Sequence, residues 1–258
     1  MAGRAQGKKN CPGAATTSTA SSGAYIINPT ASGQGVLNTS AQNTELTRLL
    51  SAGRLDTYLR SCQGDQHHAL RLYAWNIEVA SAFWGSFNVL EVTLRNVLHA
   101  ELSNLTGRDD WWKGQIGFHH FEWQRVTDAI SAAQRSKGAA ALPGHIVAEL
   151  SLGFWTGLLA NRYHQRLWVP ALHAAFPHLT GTRRELHRKQ ESLRKLRNRI
   201  AHHEPIFARN LTADHGRLLG VLGAISSVAV DWVKRNTRIP QVLSRRNDVV
   251  AGTENTTF

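Results

Sequence analysis

Apolar residues recur every three or four positions along almost the whole chain after residue 43, and no stretch shows the period of two that a half-buried strand needs. The pattern predicts an all-α fold. A first helix is expected over residues 44–62, with Leu46, Leu50, Leu55 and Leu59 facing inward and Gly53 weakening its middle. After a Gly64-Asp65 turn, residues 70–98 read as a heptad: Leu70, Ile77, Trp84, position 91 and Leu98 form one row, and Tyr73, Ala80, Phe87 and Leu94 the other. Position 91 is a glutamate. A carboxylate in an apolar seam is costly unless paired, so Glu91 calls for a cation, either Arg95 one turn on or an arginine from a facing helix. The alternative is that helix curvature carries Glu91 to solvent.

Further helices are expected over residues 119–135, in two pieces around Pro170 within the aromatic stretch 145–177, and from Thr180 or Thr182 to the residues before Pro205. Thr212-Ala213-Asp214 is expected to cap a helix running to about Lys234, and a short segment follows Pro240. Trp111, Trp112, Trp155 and Trp168 are core or lid candidates first and base-stacking candidates second. Residues 1–43 and 247–258 are poor in large apolar side chains and are expected to be flexible, which leaves one helical domain over 44–246.

Charge changes the picture. The 258 residues carry thirty Lys and Arg against eighteen Asp and Glu, a formal +12, and twenty-three of the thirty are Arg. Arginine forks match phosphate oxygens, so the excess favours an anionic polymer such as RNA, although a GC-rich genome gives the same bias. Residues 181–217 hold ten basic against four acidic side chains, half of the excess. Two cysteines, Cys11 and Cys62, cannot build a disulfide framework or a thiolate metal site. The N-terminal stretch has no apolar run suited to export, and residues 218–230 are too short to span a bilayer, so a cytoplasmic protein without a membrane partner is expected.

The charged helix is amphipathic, with Leu186, Leu193, Leu196 and Ile200 as its stripe. Arg197 lies about 40° from Leu193 on that helix, at the border of the stripe, and should be partly buried with Glu91 as its partner. Asn198 and His202 share a face, as do Arg199 and His203. An imidazole can move the proton of a ribose 2′-OH or of the leaving 5′-oxygen, while a guanidinium holds the phosphate as charge accumulates. Arg197 and His202 stand about 140° apart on an ideal helix, so they meet only if the last turn unwinds or if two protomers contribute. His202, His203 and Glu204 lack the spacing of a metal site, and phosphate-loop, dinucleotide and serine-hydrolase motifs are missing, so neither metal nor cofactor is expected.

The string LRKLRNRIAHHEPIF, residues 193–207, resembles the signature of the Abi-like (abortive infection) bacterial proteins, whose helical domain belongs to the HEPN ribonuclease superfamily. Arg197, Asn198 and His202 match its Arg-polar-His pattern with four intervening positions, and His203 matches it with five. LRLYAWNIEVASAFWGSFNVLEVTLRNVLHAEL resembles the family's first long helix, and SLGFWTGLLANRYHQRLWVPAL its middle segment, so the likeness covers residues 45–246. The resemblance implies a bundle with long antiparallel helices and a metal-independent endoribonuclease that leaves a 2′,3′-cyclic phosphate. It further implies a toxin or phage-defence role, commonly a homodimer, with an antitoxin or a guide or regulatory RNA as a further partner. His202 or His203 would be the acid or base, Arg197 the phosphate ligand and Asn198 the orienting residue. Glu91, Arg95 and Asn96 would support them, and Arg194, Lys195, Arg199 and Lys189 would contact RNA. A second reading makes the chain a non-catalytic RNA-binding or regulatory module. A third makes Asn198, His202 and Glu204 helix caps only.

Overall fold

A computed structural model describes residues 40–258. Every regular element among them is helical: α1 (Ser40–Leu50), α2 (Ala52–Ser61), α3 (Gln66–Thr106), α4 (His120–Lys137), α5 (Pro143–Glu149), α6 (Leu152–Leu158), α7 (Arg183–Ala201), α8 (Leu211–Ile225), α9 (Ser227–Asn236), α10 (Ile239–Ser244) and α11 (Arg246–Ala251). Short 3-10 and π turns link α6 to α7. Among the described residues no helix is long and apolar enough to cross a membrane.

α3 is the axis of the fold, with 41 residues and a length of about 60 Å at the helical rise. Asp65 caps its start by accepting the His68 N–H at 2.8 Å, and Gly107 ends it in the left-handed region at φ 70°. The buried stripe runs through Leu72, Trp75, Val79, Phe83, Phe87, Leu90, Leu94, Leu98 and Leu102. This corrects the heptad: Trp84 is 45% exposed, and Ile77, Ala80 and Tyr73 are only partly covered. Leu70, Phe87, Leu94 and Leu98 of the foreseen rows are buried, so the heptad fails at Tyr73, Ile77, Ala80 and Trp84 only.

The rest of the chain runs back along this axis. Asn76 bonds to residues 206 and 207 while Glu91 meets Arg197, so α7 is antiparallel to α3. Trp75 bonds to the Val242 carbonyl and Ser86 to Thr237, so the C-terminal helices are antiparallel to it too. Trp111, Phe118, Phe154, Trp155 and Tyr163 form an aromatic cluster under the α4 and α6 segment. That cluster buries Trp111 and Trp155, so neither is free to stack on a base.

Several boundaries differ from expectation. The helix foreseen over 44–62 is two, α1 and α2, divided at Ser51 with φ 71° and not at Gly53. Residues 40–43 of the foreseen flexible segment are helical, and buried Asn43 bonds to His67 at 3.0 Å; residues 1–39, with Cys11, lie outside the described residues. The helix foreseen through to Lys234 breaks at Ser226, which caps α9. Asn210, not Thr212 to Asp214, caps α8, and Asp214 is buried between Arg209 and Arg217. The stretch foreseen as a flexible tail from Asn247 contains α11, whose Val249 is buried, and Arg71 donates to the Ala251 carbonyl at 3.1 Å. Few large apolar residues sufficed here because charged side chains bind backbone carbonyls.

Candidate active site

α7 starts with a complete capping box: the Glu185 N–H donates to the Thr182 hydroxyl at 3.2 Å, and the Thr182 N–H donates to the Glu185 carboxylate at 2.8 Å. Leu186, Gln190, Leu193, Leu196 and Ile200 are buried along its stripe. It stays helical through Ala201, and His202 is its C-cap. The His203 N–H then bonds to the Ile200 carbonyl at 3.0 Å and the Glu204 N–H to the Arg199 carbonyl at 2.8 Å, a Schellman ending. Its left-handed position, usually glycine, is His203 at φ 55°.

The loop beyond is held from outside. Buried Asn76 of α3 accepts the N–H groups of Ile206 at 2.8 Å and Phe207 at 3.1 Å. Arg54 of α2 donates to the His203 carbonyl at 2.5 Å, and the Phe207 ring lies 4.9 Å from that of Tyr58. Pairing rules pointed at neither residue. Asn76 carries a legible signal, a polar side chain beside the buried stripe between Trp75 and Val79; Arg54 carries none.

Arg197 reaches across to α3 as expected. Its Nε lies 2.7 Å from Glu91 Oε1 and its Nη2 3.4 Å from Oε2, with the guanidinium carbon 5.3 Å from the centre of the Trp84 ring. The two side chains are 31% and 25% exposed. Glu91 thus takes the facing-helix cation and not Arg95, and Nη1 of Arg197 keeps its donors. Arg95 is half-buried with its Nε covered and unpartnered among the described residues, and Asn96 is exposed.

Asn198 is half-buried, while His202 and His203 are exposed. Among the described residues none of these three side chains has a hydrogen-bond or ion-pair partner. Because α7 keeps its form to Ala201, unwinding of the last turn does not bring His202 round to Arg197. The foreseen RNA contacts divide: Lys189 and Lys195 are exposed, Arg199 pairs with Glu204 at 3.1 Å, and Arg194 pairs with Glu191 at 2.9 Å.

Two other acid clusters have a different character. Glu122 accepts from Tyr163 at 2.7 Å and pairs with Arg162. Burial alone would raise its pKa, but those bonds outweigh it and hold the carboxyl below its ordinary value. Asp214 is bonded by Arg209, Arg217 and Ser192. Among the described residues no three His, Cys, Asp or Glu side chains gather as a metal site. Set against protein-family models, curated proteins and solved structures, the chain finds no significant match.

Proposed function

We propose that this chain is an endoribonuclease of the HEPN type that cuts RNA without a metal ion and leaves a 2′,3′-cyclic phosphate. The observation that carries the reading is the end of α7, where two histidines stand exposed beyond an arginine already aimed by Glu91. Arg197 retains the Nη1 donors for a phosphate oxygen, and an imidazole of His202 or His203 supplies the proton transfers. Since the two groups face about 140° apart on one helix, the working site takes Arg197 from one protomer and the histidine from a second copy. Such an enzyme fits a toxin or phage-defence role in the cytoplasm, restrained by an antitoxin or a regulatory RNA.

A second reading, RNA binding without cleavage, is favoured by one fact: among the described residues no carboxylate orients either histidine. Purified protein incubated with total RNA and EDTA separates the two. Cleavage products ending in cyclic phosphate, lost in His202→Ala or His203→Ala, support catalysis. RNA retention without any products supports binding alone.

A further inference from the structure

A convergence of cations away from His202 is unused by that mechanism. Arg125 of α4 and Arg194 of α7 meet over Gly153 of α6: a Cβ built on Gly153 would lie 3.7 Å from Arg125 Nη1 and 3.5 Å from Arg194 Cδ, with Ser151 Oγ at 3.6 Å. Two arginine side chains thus approach one point, Arg194 with its Cδ and Arg125 with its Nη1, beside a hollow that Asp128 and Glu149 also line. Only one is compensated. Glu191 takes Nε and Nη2 of Arg194 at 3.1 and 2.9 Å, whereas Arg125 lies over the Phe121 ring at 4.2 Å and has no carboxylate or hydrogen-bond partner among the described residues. The glycine leaves the point between the arginines without a side chain.

Two more observations give the site a direction and a chemistry. Arg183, His187, Arg194 and Asn198 fall within about 60° of one another around α7, and His202 follows about 12 Å beyond Arg194 along the axis. Phe121 is 58% exposed, and Arg125 lies over one face of its ring with its N–H groups unpartnered among the described residues. A cation beside an open aromatic ring matches a nucleotide whose base is unstacked, which a duplex does not offer.

We propose that Arg125, Arg194 and Phe121 form a subsite for single-stranded RNA, seating a phosphodiester two helical turns from His202. The inference rests on the RNA reading above. Arg125 grips the phosphate with its fork, Arg194 adds its free Nη1, the Ser151 hydroxyl donates and Phe121 stacks on a base.

The test uses protein carrying both His202→Ala and His203→Ala, so that the RNA stays intact, and a fluorescein-labelled single-stranded oligoribonucleotide followed by anisotropy across a salt series. Adding Arg125→Gln should weaken binding about tenfold and lower the log–log salt slope by about 0.7, and adding Phe121→Ala should weaken binding about fivefold with the slope unchanged. Adding Arg184→Gln should do neither beyond the loss of a general surface charge. Native affinity and slope in the Arg125 variant overturn the subsite. A duplex of the same sequence binding equally well through Arg125 overturns its single-strand character. Arg125-dependent binding with no cleavage by the unmutated chain sinks the catalytic reading and leaves the subsite standing. Cleavage with Arg125-independent binding does the reverse, and no RNA binding by any form sinks both.

Discussion

The two ends of α7 are built to opposite standards. At the start, Thr182 and Glu185 satisfy each other's backbone donors, and Arg183 bonds to the Leu159 carbonyl, Asn161 and His164. At the finish, a histidine occupies the left-handed position that glycine takes without strain, and Asn198, His202 and His203 have no side-chain partners among the described residues. The backbone there is secured by Asn76 and Arg54, and Arg199 pairs with Glu204, while those three polar side chains stay open. A helix end held firmly in its main chain and left open in its side chains suits reaction chemistry. The other end suits folding.

The largest expected effect is at the anchor. Asn76→Ala strands two buried N–H groups and should cost about 2–6 kcal/mol in denaturant unfolding, at about 1–3 for each orphaned group. A loss below about 1 kcal/mol would mean that the α7 end is not held from α3. Next, Glu91→Gln keeps the shape of the pair but removes its charge. Because the pair is partly solvated, stability should change by less than about 1 kcal/mol, while RNA cleavage falls about tenfold as Arg197 loses its aim. Equal loss of both would make the pair a structural one.

A matched set then sharpens the contrast between the ends. Thr182→Ala should destabilise by about 1 kcal/mol and leave cleavage alone. His203→Gly should stabilise by about 1 kcal/mol, because glycine adopts φ 55° without the steric cost. A neutral or destabilising glycine would mean that the histidine is there for packing. The smallest effect concerns pH. Burial, reinforced by Arg183 and Arg162 and opposed by Glu191, holds the His187 pKa below its ordinary value. The unfolded chain therefore binds a proton that the native state refuses, and stability should decline as pH falls from about 7 towards 5. Burial acts in the same direction on His99 and His215. Thermal melts of His187→Gln should show a shallower decline than the native protein.

What could be read from the sequence follows from which forces are local. Helix period, the α7 stripe and its cap at Thr182 were legible, the caps at Asn210 and Ser226 were not, and the cost of a charge in an apolar seam led to Arg197 as partner of Glu91. The heptad misled at Trp84 and Ile77, because α3 packs against several elements and its buried stripe there runs through Trp75, Val79 and Phe83. The breaks at Ser51 and Ser226 were hidden because both lie inside periodic runs where tertiary packing, not propensity, decides the end. Asn76, Arg54 and the meeting of Arg125 with Arg194 depend on elements far apart in the chain, and no spacing rule reaches them.

The account turns on a site shared between two copies, and a mixing experiment addresses it most directly. His202→Ala and Arg197→Lys proteins are each assayed for RNA cleavage alone, then unfolded, mixed in equal amounts and refolded together. If each site joins Arg197 of one protomer to His202 of the other, half of the dimers are mixed and each has one intact site, so cleavage should return to about a quarter of native from two nearly inactive parents. A mixture no more active than its parents, with His203→Ala in place of His202→Ala giving the same result, would contradict it.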